Sequence, residues 1–185
     1  FFIFPALTGL VLLFPYILAI VPKYSKWEPA LFSLTFFAVN AAFSSISTPL
    51  TNTLNAIGKI KITLHLMVFW TVATWVLTPI SILIFGFNGV AITSALISLS
   101  VIFVVFIVKR YIKFKLLGVI IFPFLGATLM GTILYLIGPI FPKNILNFIF
   151  MIVLGVMIYF LAMFAMARSQ IIQDLKIVRS HLINQ

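Results

Sequence analysis

Of 185 residues, 64% are hydrophobic and only 8% charged, and the mean hydropathy is +1.31. A soluble domain is excluded, because its surface needs far more charge to stay in water. The net charge of +10 comes from 12 Lys and Arg against Glu28 and Asp174, and with no cysteine the chain has neither disulfide nor thiolate chemistry.

The bases sit in short connections between apolar runs, a pattern of membrane orientation rather than of nucleic-acid binding. A hydrocarbon core of about 30 Å needs about 20 helical residues per span. The alternation of a β-barrel strand is absent. We therefore expect an all-α, polytopic transmembrane helical bundle of about six spans, with one membrane domain over residues 1–167 and a tail over 168–185.

The first apolar run is Phe1 to Val21, containing Pro5 and Pro15. Phe1 already lies inside an apolar run and no basic segment precedes it, which reads as a piece of a longer protein rather than a signal peptide. A loop from Pro22 to Pro29 follows. The second span, Ala30 to about Ile57, is closed by Gly58-Lys59-Ile60-Lys61. The third covers Ile62 to Phe85, ending at a tight turn, Gly86-Phe87-Asn88-Gly89, of residues that tolerate positive φ. The fourth is Val90 to Val108, the fifth Leu116 to Gly138, and the sixth about Ile145 to Ala167. In the tail, Ile171, Leu175, Val178 and Leu182 recur with helical spacing. That amphipathic helix either lies in the cytoplasmic interface or packs on the bundle.

Orientation follows from the bases in alternate connections. Lys59, Lys61, Lys109, Arg110, Lys113, Lys115, Arg168, Lys176 and Arg179 fall on one side, and Lys23, Lys26 and Lys143 on the other. Nine against three places the first group, and both ends of the segment, in the cytoplasm.

Intramembrane ionisable residues are the usual pointer to function, and these spans hold none. Glu28 lies in a loop, His65 near the start of the third span, and Asp174 and His181 in the tail, so no catalytic group or metal cluster assembles from them. The chain reads as a non-enzyme that requires no cofactor.

The second span carries the most informative pattern. At 100° per residue, Ser33, Asn40, Ser44, Ser47, Thr48, Thr51 and Asn55 share an arc of roughly 100°, with Phe43, Ile46, Leu50 and Ile57 opposite. Pro49 interrupts the backbone ladder within the same span. Seven polar residues on one stripe suggest a helix lining a hydrated cavity. We take Asn40, Ser44, Ser47, Thr48, Thr51 and Asn55 as its lining. The alternative is interhelical hydrogen bonding, worth about 0.6 kcal/mol per contact. The third span repeats the pattern weakly, with Thr63, Thr71, Thr74, Thr78 and Ser81 on one arc and Pro79 as a possible kink, although Thr also bonds back to its own helix. Ala91, Ser94, Ala95 and Ser98, and Ala127 with Gly131, read as close-packing faces. Lys59 and Lys61 are candidates for contact with anionic head groups.

The stretch Asn52-Thr53-Leu54-Asn55-Ala56-Ile57-Gly58-Lys59-Ile60-Lys61 resembles the short cytoplasmic connection of bacterial polysaccharide (O-antigen-type) flippases, of the same superfamily as multidrug and toxin extruders. Pro79 followed by Phe85-Gly86-Phe87-Asn88-Gly89-Val90-Ala91 is similar to the close of the next helix in that family. The likeness covers about residues 1–110. It implies a two-lobed transporter of the bacterial inner membrane that moves an undecaprenyl-type lipid-linked oligosaccharide by alternating access. This segment would belong to its second lobe, beside the remaining N-terminal lobe and membrane lipids as partners. The alternatives are a multidrug extruder of the same superfamily, or a membrane-embedded polysaccharide-processing enzyme. The latter needs catalytic residues on long loops, whereas the longest connection here, Pro22 to Pro29, has eight residues.

Overall fold

The computed structural model describes residues 2–112 and 116–183, with no side-chain description for 22, 24, 25, 116, 117 and 167–183. It is all-helical, with no strand among the described residues. Among the described residues seven α-helices follow in order: α1 (Ile3–Ile20), α2 (Ala30–Ala56), α3 (Ile60–Phe85), α4 (Asn88–Ser98), α5 (Val101–Lys109), α6 (Leu116–Ile137) and α7 (Ile145–Ile183). Short 3₁₀ segments cover Pro22–Trp27 and Gly138–Ile140. Among the described residues six helical segments are long and apolar enough to cross a membrane, with α4 and α5 together forming the fourth. A helix satisfies its backbone internally, as lipid demands, and α1, α2, α3 and α6 run unbroken through Pro15, Pro49, Pro79 and Pro123.

Two compact units are distinguished: Ile17–Phe114, and Phe1–Tyr16 with Lys115–Gln185. In the first, α4 packs on both α2 and α3, and α5 packs on α2. The α2–α3 turn is a Schellman closure. Gly58 takes φ +75°, its amide reaches the Asn55 carbonyl at 3.0 Å, and the Lys59 amide reaches the Leu54 carbonyl at 2.8 Å. Leu50 and Leu54 of α2 are buried against Val104 and Val108 of α5, with Ile62 and Leu66 of α3 around them.

The α3–α4 turn is tighter than expected. Only Gly86 has positive φ, +61°, while Asn88 and Gly89 already form the first turn of α4. Gly89 is there for closeness. A Cβ on it would stand 2.2 Å from the Ser81 backbone oxygen, so the two helices touch backbone to backbone.

In the second unit, α6 packs on α7 through Ala127, Met130, Leu134, Met151, Tyr159 and Met163, all buried. The Tyr16 hydroxyl donates to the Gly138 carbonyl at 2.8 Å, tying α1 to the end of α6. Gly131 lies against Thr8, and Ala127 is 2% exposed, as a close-packing face requires. Asn144 caps α7 by accepting the Asn147 amide at 2.8 Å. The helix continues past the sixth span to Ile183 without a break, so the tail backbone extends α7 instead of starting a new element. The side chains of the tail's expected apolar stripe, and Lys113 and Lys115 altogether, lie outside what is described.

Candidate functional site: a neutral polar pocket

A pocket of about 210 Å³ opens in the first unit, lined by Asn40, Ser44, Ser47, Thr48, Thr51, Trp70, Ile97, Ser98 and Ser100. Helix α2 supplies five of these because positions 40, 44, 47 and 51 step by three or four along one face, with 48 one turn after 44 beside them. Thr48 donates to the Ser44 carbonyl at 2.9 Å, and Thr51 to the Thr48 carbonyl at 2.9 Å. The side chains of Asn40, Ser44 and Ser47 form no hydrogen bond within the protein among the described residues. No lining residue carries a charge.

The opposite wall comes from the fourth span. The continuous helix expected from Val90 to Val108 is instead α4 and α5, joined at Leu99 and Ser100. The amides of Leu99, Ser100, Ile102 and Phe103 reach back three residues, to Leu96, Ile97, Leu99 and Ser100, instead of four. The ladder tightens to 3₁₀ geometry at the centre of the span, a form that often marks functional hinges. Ser100 Oγ accepts the Trp70 indole N–H at 2.7 Å, fixing the indole at the pocket edge.

Polar contacts and apolar packing close the two ends of this unit. Toward the start of α2, the Ser33 hydroxyl donates to Asn88 Oδ1 at 2.7 Å and the Thr93 hydroxyl donates to Ser81 Oγ at 2.7 Å. Toward its end, the Leu50, Leu54, Val104 and Val108 cluster lies beyond Thr51.

Two members of the α2 stripe fall outside the pocket. Ser33 is engaged with Asn88, and Asn55 is exposed near the α2–α3 turn, where its carbonyl serves the Schellman closure. Composition left the α3 stripe undecided, and the structure divides it. Thr71 and Thr74 donate to the carbonyls of Met67 and Trp70 at 2.9 and 2.8 Å, turning back on their own helix, and Ser81 meets Thr93. Trp70 was missed. Its only sequence signal is an indole in mid-span, where the N–H demands a partner. Ser98, expected as packing, is half-buried at the pocket wall.

Thr63 is different again. It is 3% exposed and its hydroxyl has no hydrogen-bond partner among the described residues. An unsatisfied buried group costs about 1–3 kcal/mol. Thr63→Val keeps the shape and removes the hydroxyl, so it should stabilise the protein by about 1 kcal/mol. Resistance to SDS-induced unfolding in mixed micelles reads this, and a destabilised variant would show that the hydroxyl has a role.

Comparison with protein-family models, with curated proteins and with solved structures gives no match.

Proposed function

We propose that this chain forms part of a membrane transporter of the polysaccharide-flippase type, passing the hydroxyl-rich head of a lipid-linked oligosaccharide through the α2 pocket. The observation that carries this reading is the pocket itself. It is neutral, hydrogen-bonding, and set at the middle of spans long and apolar enough to cross a membrane. Hydroxyls and an amide with open valences can exchange hydrogen bonds with sugar hydroxyls without holding any one arrangement tightly. Polar groups of this number, facing lipid, would be costly. The tight turn at Ser100 supplies a point about which the pocket wall can rearrange. We place the Lys59 and Lys109 end of this unit in the cytoplasm by the excess of bases there.

The native absence of cysteine makes a direct test available. In membrane vesicles, Asn40→Cys and Ser44→Cys should be modified by a membrane-impermeant thiol reagent, and Ile46→Cys, packed against the Leu50 cluster, should not. Equal labelling of all three, or none at the first two, would overturn a hydrated pocket.

A further inference from the structure

We infer that the end of the first unit carrying the α2–α3 turn is a binding site for an anionic phospholipid, with the head group held by the basic residues at the start of α3 and the end of α5. This does not depend on the transport reading. The fold brings together two basic segments that are far apart in sequence. The Lys59 ammonium lies over the Tyr111 ring, 5.1 Å from its centroid, which sets Lys59-Ile60-Lys61 beside Lys109-Arg110-Tyr111. The apolar cluster of Leu54, Val108 and Ile62 just beneath holds the two segments at the same level. Among the described side chains the one carboxylate, Glu28, sits at the other end of α2, so these charges are not neutralised locally. The first turn of α3 adds the positive end of its helix dipole.

What selects a lipid over a free anion is the surface below the charges. On α3, Lys61 is followed on the same face by Leu64 and Val68, 58% and 55% exposed. On α5, Arg110 is preceded on its face by Phe106 and Phe103, 64% and 65% exposed. Each helix therefore presents a cation at the top of an open apolar strip. Both strips lie on the outward faces of their helices, opposite Ile62, Leu66, Val104 and Val108. A head group at this basic end with acyl chains along either strip matches that layout, whereas inorganic phosphate would use only the upper part. Each basic residue near an anionic leaflet contributes about 1 kcal/mol, about fivefold in affinity.

The test uses the purified protein taken from vesicles of equal parts phosphatidylglycerol and phosphatidylcholine, with the retained lipids counted by native mass spectrometry. Phosphatidylglycerol should be retained preferentially. Lys61→Gln with Arg110→Gln should lower that preference on the order of twentyfold, and the charge-conserving pair Lys61→Arg with Arg110→Lys should restore it. Lys23→Gln with Lys26→Gln, at the other end of this unit, should leave it unchanged. No preference in the unmodified protein, an equal loss in the Lys23 and Lys26 pair, or a preference that survives Lys61→Gln with Arg110→Gln would overturn the site. Displacement of the lipid by millimolar inorganic phosphate would overturn the choice of a lipid as its ligand.

Discussion

Gly89→Ala should abolish the native packing of α3 on α4, at about 3 kcal/mol or more. The added Cβ would stand 2.2 Å from the Ser81 carbonyl oxygen and 2.7 Å from the Ile82 nitrogen. Both are backbone atoms, so no rotamer change relieves the clash and the helices must part. The same displacement would pull apart the Thr93–Ser81 hydrogen bond, 2.7 Å in length, one turn further along. Thr93 is 1% exposed, so its hydroxyl would be stranded in an apolar setting. We expect little folded protein in detergent by size-exclusion chromatography. Gly9→Ala is the control, because a Cβ at Gly9 meets nothing within 4 Å. If Gly89→Ala unfolds no more easily than that control, the backbone contact is not what joins these helices.

Leu54→Ala should cost about 2–4 kcal/mol, measured as the shift in SDS-induced unfolding. Leu54 is fully buried between α2 and α5, against Val104 and Val108. In a membrane its removal is felt chiefly as lost van der Waals contact, since lipid tails are as apolar as the leucine they would replace. The substitution has a second, functional readout. The cluster closes the α2 pocket beyond Thr51, so thinning it should increase labelling of a Ser47→Cys variant by a reagent added from the Lys59 side. Destabilisation without any change in labelling would mean that the cluster holds the helices together but does not seal the pocket.

These effects show which parts of the molecule are local. Six spans, and their ends to within about two residues, follow from the sequence alone. Span length is set by the thickness of the hydrocarbon core, and the breaks come from residues whose preferences act within one turn. Gly58 and Gly86 supply positive φ, and Asn144 caps α7. The polar stripe of α2 was legible for the same reason, because helical periodicity places Asn40, Ser44, Ser47, Thr48 and Thr51 on one face whatever surrounds them.

What that face meets was decided only by the tertiary structure. Trp70 and Ser100 are thirty residues apart, and nothing local distinguishes them from other mid-span residues until the indole N–H finds the hydroxyl. The 3₁₀ turn at Leu99 and Ser100 was equally hidden, since Ser98-Leu99-Ser100 carries no glycine or proline to announce a break. Thr63, Thr71 and Ser81 share an arc of α3 but meet three fates: an orphan hydroxyl, a bond back to its own helix, and a partner on α4. Periodicity assigns a residue to a face. Which neighbour covers that face, and how closely, depends on contacts between helices that no window of one helix contains.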